Sequence, residues 1–229
     1  MSVSLAPSLK PFPVDPDVIA SIRPLQFRDA ARVAELHYAA MGTSLWARLG
    51  LPFLRQLYQA MVDSPFFIGF VYVEDGNVRG FIAGSLNTSK MFKDVARRRF
   101  MFLGPTALAG VVRHPMVVGR VLETWRYMGV SGAEDTPGES LFCTFEPDLR
   151  GKRVSGHINK VLFDELLARG HLGVKVSTEV ENDAANRQLQ SWGFRDACRF
   201  RFYGKDMVTY VLDLPGHPRL EAVSRHPAV

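Results

Sequence analysis

The chain has 229 residues, with 28 Lys and Arg against 23 Asp and Glu, a formal net charge of +5. Hydrophobic residues make up 47% and charged residues 22%, the proportions of an ordinary globular domain, which excludes collagen-like, coiled-coil and wholly disordered classes. The length suits one large domain or two small ones, and no apolar run reaches the roughly 20 residues of a membrane-spanning helix.

Two cysteines, Cys143 and Cys198, are too few for a secreted disulfide scaffold, so two reduced thiols and a cytoplasmic protein are expected. The first residues lack the basic start and apolar run of a signal peptide. Four prolines before position 18 predict a loose leader. Ile19 to Leu25 reads as a first strand, and Asp29 as the N-cap of a helix carrying Val33, Leu36 and Ala40. A second helix is marked by Leu51-Pro52 at its first turn and by Phe53/Leu54, Leu57/Tyr58 and Met61/Val62 as its apolar stripe. Phe66 to Val73 and Val78 to Leu86 flank Asp75-Gly76, a hairpin signal, since both turn residues tolerate positive φ.

Residues 88–138 interrupt this pattern. They read as a basic, apolar helical insertion that becomes loop-like from Gly129 to Gly138. Between 90 and 130 there are eight Lys and Arg against Asp94 and Glu123, a net +6, so the rest of the chain nets −1. A helical hairpin with a solvated basic face is the plain reading. A phosphate-bearing acceptor or a peripheral anionic surface is the sharper one. Nucleic acid is not expected, because no helix-turn-helix spacing, zinc ligands or aromatic RNA-binding pair accompanies the charge.

Strand signals return at Leu141 to Phe145, followed by a helix from Val154 to Ala168 stopped by Gly170, a strand over Val174 to Val180 and a helix over Asn182 to Trp192. Gly193 to Tyr203 and Met207 to Leu214 are the closing strands, and the tail from Pro215 is expected to be loose. The order predicts one α+β domain, of the three-layer α/β type, over about 19–214: a mixed, mostly antiparallel sheet with helices on both faces.

The informative segment is Phe145-Glu146-Pro147-Asp148-Leu149-Arg150-Gly151-Lys152-Arg153-Val154-Ser155-Gly156, a strand-to-helix turn rich in Gly and cations. Helix N-termini present free N–H groups and a positive dipole end, so an anion is the natural ligand. Gly151 and Gly156 have the outer spacing of a Walker loop, but His157-Ile158 stands where Lys-Ser/Thr is required, and no G-x-G-x-x-G occurs.

The segment resembles the pyrophosphate-binding turn of the GNAT superfamily of acetyl-CoA-dependent N-acetyltransferases, V-x-P-x-(Y/F)-R-G-K-G-(I/V)-G. Phe145-Glu146-Pro147 matches the strand exit and Arg150-Gly151-Lys152 with Val154 the turn; Arg153 and Ser155 replace two small residues. Asn182-Asp183-Ala184-Ala185 with Gly193-Phe194 is similar to a second family motif, N-x-x-A-x-x-x-Y-x-x-x-G-F, in which a strand splays from its neighbour. The resemblance covers about 19–214 and implies the acyl-CoA N-acyltransferase fold with acetyl-CoA as co-substrate. It places Arg150, Gly151, Lys152, Arg153, Val154, Ser155 and Gly156 at the pyrophosphate, Phe145 at the strand exit among the cofactor-binding residues, Asn182 close to the pantetheine arm, and Asn186 as a further candidate for cofactor contact. Leu189 stands where the family has its tyrosine acid.

A general base is sought among Glu139, which precedes the strand expected to flank the acetyl group, Glu146 at its exit, and Glu179 and Glu181 on or just after the next strand, with Glu179 and Glu139 the two chosen. Cys143 sits among Leu141, Phe142 and Phe145, which favours core packing over nucleophilic catalysis. Six histidines show no metal-ligand spacing. The function expected is acetylation of a primary amine on a small-molecule acceptor, an amino sugar being the first candidate, by direct attack in a ternary complex. The alternative is a degenerate acyl-CoA-binding or interaction module without turnover.

Overall fold

A computed structural model describes residues 9–42, 44–113 and 136–220. Its elements are α1 (Pro16–Ala20), β1 (Ile22–Pro24), α2 (Ala30–Ala40), α3 (Leu45–Arg48), α4 (Leu51–Val62), β2 (Phe67–Glu74), β3 (Asn77–Ser85), α5 (Thr88–Arg113), β4 (Glu139–Phe145), α6 (Val154–Ala168), β5 (Gly173–Glu179), α7 (Asp183–Trp192), β6 (Arg195–Phe202) and β7 (Lys205–Asp213). The seven strands form one sheet in the order β1-β2-β3-β4-β5-β7-β6, antiparallel except between β4 and β5.

The alternation of β3 shows how the sheet builds two layers. Phe81 and Ala83 face a core made with α2, α4 and α5, while Ile82 between them faces a core made with α6 and α7. The β2–β3 hairpin turns at Asp75 (φ 51°) and Gly76 (φ 75°), the left-handed pair that the Asp-Gly signal anticipates. Pro52 opens α4 at a position whose N–H has no helical partner in any case.

The first strand is shorter than expected. Asp15 caps α1, its side chain accepting the Asp17 N–H, and Pro16 opens the helix, so Ile19 and Ala20 are helical and only Ile22–Pro24 pair with β2. The Asp-Pro-Asp run was the signal for this helix. Asp29 makes no side-chain cap on α2. Its carboxylate instead accepts the Gln26 N–H and both Arg23 guanidinium nitrogens, which ties β1 to the helix start.

Both segments expected to be loose are docked where they are described. Phe12 is 8% exposed, stacks on Trp192 at 5.2 Å and lies edge-on to His157 at 4.9 Å. Its ring sits so close to Gly156 that a Cβ there would fall 2.6 Å from it, so the small residue in α6 is what admits the leader. His157 fastens the same segment: Nε2 accepts the Asp15 N–H at 2.8 Å, which leaves Nδ1 to donate to the Arg153 carbonyl at 2.9 Å. At the other end the buried Lys160 ammonium donates to the Leu220 carbonyl and to Asp164. Phe12→Ala should therefore cost about 3 kcal/mol, read as a lower midpoint in urea unfolding at an unchanged slope. An unchanged midpoint would show that the leader contributes no stability.

The insertion is helical over α5, with non-helical backbone at Arg99 and Pro105 inside. The expected loop from Gly129 lies mostly outside the described residues. Among these, no helix is long and apolar enough to cross a membrane.

Candidate functional site

β4 and β5 pair only at Glu139 with Lys175 and Ser140 with Val176. Their outer edges remain occupied much further, β4 by β3 to Phe145 and β5 by β7 to Glu179. The sheet therefore splits between them beyond Ser140. A bulge sits at the fork: Ala83 faces Phe142 and Gly84 faces Ser140, so Leu141 is skipped. A bulge adds a residue and bends its strand, which turns β4 away from β5. The facing edges of residues 141–145 and 177–179 are left without a partner strand among the described residues. Such a slot accepts an extended, amide-bearing chain by main-chain pairing.

The open end of the slot leads to the turn before α6. Gly151 (φ 81°) and Arg153 (φ 57°) are both left-handed. Arg153 occupies a conformation that costs an L-residue with a Cβ roughly 1–2 kcal/mol, which is why glycine is favoured there. The N–H groups of Gly151, Arg153, Val154 and Ser155 have no acceptor among the described residues, while those of Lys152, Gly156 and His157 bond to Leu149 and Arg153 carbonyls. Four free donors at a helix start, with the exposed side chains of Arg150, Lys152 and Arg153 around them, make an anion cradle. Phe145 folds its ring over Gly80 on β3, where a Cβ would lie 2.1 Å from it.

The two asparagines divide their work. Asn182 caps α7, its side chain accepting the Ala185 N–H at 3.3 Å. Asn186 donates to the carbonyls of Glu179 and Val180 at the open end of β5, and its Oδ1 is buried with no partner. A buried carbonyl oxygen without a donor is costly unless a ligand supplies one. Leu189 is 7% exposed and belongs to the second core, so this position carries no acid.

The four carboxylates differ sharply. Glu139 stands at the closed end of the slot, where the Thr88 hydroxyl donates to it and Ser85 bonds Thr88 in turn. Burial raises its carboxyl above the ordinary value, opposed by the Thr88 hydrogen bond and by the charge of Lys175. Glu179 is on the surface in an ion pair with Lys205 at 2.6 Å, and Glu181 is exposed. Glu146, at the strand exit, is held by Arg32 and Arg79.

Arg79 was not legible as a site residue. From β3 it reaches Glu74 at 2.7 Å, Glu146, and Asp148 at 2.5 Å, and it holds the Asp148 carboxyl below the usual carboxylate range. Two carboxylates beside an anion cradle would repel an anion. Arg79 and Arg32 neutralise them and fix the exit of β4.

Cys143 has its thiol pushed up to about 12 by burial, with the Asn159 amide 4.0 Å away opposing the shift, so it is not a thiolate nucleophile. Both cysteines are free. Among the described residues no group of three His, Cys, Asp or Glu side chains could hold a metal.

A groove of about 300 Å³ continues from the cradle over the outer face of α7. Arg153, Ser155, Gln188 and Trp192 line it, together with Phe12 and Arg219 from the two terminal segments. The Arg219 guanidinium lies 5.6 Å from the centre of the Trp192 ring.

A sheet forked after one short parallel contact, with an N–H-rich turn at its mouth and helices on both faces, is the acyl-CoA N-acyltransferase fold. Comparison with solved structures shows the same fold. The protein SsHAT aligns over 84% of this chain and 97% of its own with a TM-score of 0.62 at 16% identity. A GNAT-family protein of Desulfovibrio desulfuricans aligns over 84% and 98% with a TM-score of 0.54 at 10% identity. Among curated proteins, the mycothiol acetyltransferase of Brachybacterium faecium is 31% identical over 83 residues. That match spans 36% of this chain and only 24% of the relative's length. No protein-family model matches the chain.

Proposed function

We propose that the chain transfers the acetyl group of acetyl-CoA to a primary amine of a small-molecule acceptor, by direct attack in a ternary complex. The observation that carries this reading is the meeting of the β4–β5 slot with the four free N–H groups at residues 151 and 153–155. The residues present fit the cofactor. Arg150, Gly151, Lys152, Arg153, Val154, Ser155 and Gly156 hold the pyrophosphate, chiefly through main chain. Phe145 and the free edge of β4 face the pantetheine arm, and the orphaned Oδ1 of Asn186 accepts one of its amide N–H groups. The groove beside Arg153 and Arg219 takes the nucleotide end.

Acetyl-CoA supplies an activated acyl thioester, and the remaining work is positioning and proton management. The N–H of Leu141, the residue that the β4 bulge leaves without a counterpart on β3, would stabilise the carbonyl oxygen as it gains charge. Glu139 is the base we assign, because its carboxyl is desolvated at the closed end of the slot, whereas Glu179 is tied to Lys205 in solvent. An amino sugar is the first candidate for the acceptor. Titration calorimetry with acetyl-CoA, followed by thiol release against amino sugars, polyamines and peptide N-termini, tests the reading. Absence of acetyl-CoA binding would sink it.

The burial of Leu189 in the core favours one second reading, an acyl-CoA-binding module without turnover. Tight binding with no thiol release across the panel would select it.

Arg79→Gln should weaken acetyl-CoA binding several-fold, and more at low salt, because Glu146 and Asp148 then face the pyrophosphate without their counter-charge. Calorimetry at two salt concentrations checks this. An affinity equal to that of the unaltered protein at low salt would show that the ion cluster only stiffens the strand exit.

A further inference from the structure

We propose that the solvent side of α5 docks on an anionic lipid surface. The helix carries Lys90, Lys93, Arg97, Arg98, Arg99 and Arg113 against Asp94, a net +5. That equals the formal charge of the whole chain, so the rest of the molecule sums to zero. The charge is concentrated on one element.

The same element holds the apolar exposure. Of eight large hydrophobic side chains exposed among the described residues, four lie on α5: Met101 at 84%, Phe102 at 57%, Leu108 at 64% and Val112 at 74%. Met101, Leu108 and Val112 are spaced i, i+7 and i+11, so they form one line about 16 Å long on the helix. They are not needed to hold α5 in place. Leu103, Ala107 and Val111 pack against the core from the other side, and Gly110 lies against the Leu49 backbone, where a Cβ would fall 2.6 Å away. Arg99 is committed within the protein, to Asp63 at 2.5 Å and over the Phe27 and Phe102 rings. Lys90, Lys93 and Arg97 remain exposed on the segment of α5 before the kink at Arg99, and Arg113 is exposed just after Val112 at the end of the apolar line.

This combination selects the occupant. An acidic protein would answer the cations but leave four convex apolar side chains needing a matching groove. A bilayer with anionic headgroups answers both: the basic side chains meet the headgroups, and Met, Phe, Leu and Val enter the acyl boundary to a depth of about 5–10 Å. The helix is not apolar enough to span, so it lies in the interface plane. The proposal is independent of the cofactor reading.

The test is co-sedimentation of the full chain, without acetyl-CoA, with phosphatidylcholine–phosphatidylglycerol vesicles and with pure phosphatidylcholine vesicles. Binding to the mixed vesicles only is expected, and it should fade as the Debye length shrinks from about 10 Å at about 0.1 M salt to about 3 Å at about 1 M. K93Q/R97Q alters only exposed cations and should weaken binding on the order of twentyfold, about fivefold per charge. L108D/V112D should abolish it with an unchanged melting temperature. Equal binding to both vesicle types, or none, overturns the proposal. So does a large loss of melting temperature in L108D/V112D, which would mean the chain itself covers this face, or a dimer that dissociates in that variant, which would mean a second copy does.

Discussion

Glu139→Gln is expected to lower turnover at pH 7 by about 10²–10⁴-fold, the span typical of a removed general base, while leaving the acetyl-CoA dissociation constant unchanged. The split follows from position. Glu139 sits at the closed end of the β4–β5 slot, whereas the anion cradle at 150–156 lies beyond the other end of β4. Gln keeps the acceptor oxygen that Thr88 donates to, so the tie between β4 and the start of α5 survives. The pH profile of kcat/KM provides the second readout. Because burial raises the Glu139 carboxyl, the acid limb should lie above the ordinary carboxylate range in the unaltered protein and vanish in the variant. A variant with full turnover and the same acid limb would remove Glu139 from the mechanism.

Acidification from pH 6.5 to pH 4 is expected to cost about 3 kcal/mol of folding stability through one residue, His37. This side chain is fully buried on α2, and desolvation lowers its pKa from 6.5 to about 4. The unfolded state therefore binds a proton across that window while the folded state does not, so stability falls as pH drops. Above about pH 6.5 both states hold a neutral imidazole and the effect is gone. His37 Nδ1 lies 2.6 Å from the Tyr58 hydroxyl, and its ring is 4.8 Å from Phe142, just past the bulge in β4. Charging it thus loosens the strand that lines the slot. Urea unfolding at pH 7 and pH 4.5, compared with H37N, provides the check. If the variant shows the same pH dependence as the unaltered chain, His37 is not the group responsible.

The periodic elements were readable because each satisfies its own local rule. Asp75-Gly76 turns whatever surrounds it, and the apolar stripe on α4 needs only a sheet to face. The turn at 150–156 was readable for the same reason: Gly151 and a basic helix start announce an anion site in a few residues. What the turn's sequence does not announce is that Arg153, standing in place of a small residue, is left-handed, so that its donor is presented with strain.

Other features depend on partners far away in the chain. Arg79 and Glu146 are 67 positions apart and become neighbours only through the β3–β4 pairing. The leader looked loose because its four prolines leave little periodicity, yet Phe12 needs only one Gly156 and one Trp192 to be buried. Glu139 and Glu179 were indistinguishable as strand carboxylates until burial near Thr88 separated one from a solvent ion pair with Lys205.

The sequence by itself determined the element order, the anion-binding turn and the confinement of positive charge to one insertion, since these reside in local spacing and composition. Only the tertiary structure decided that the sheet forks at Leu141, that Asn186 rather than Asn182 offers a free oxygen there, and that α5 shows an apolar line to solvent. Register, burial and exposure are properties of how distant segments meet, and no stretch of residues carries them alone.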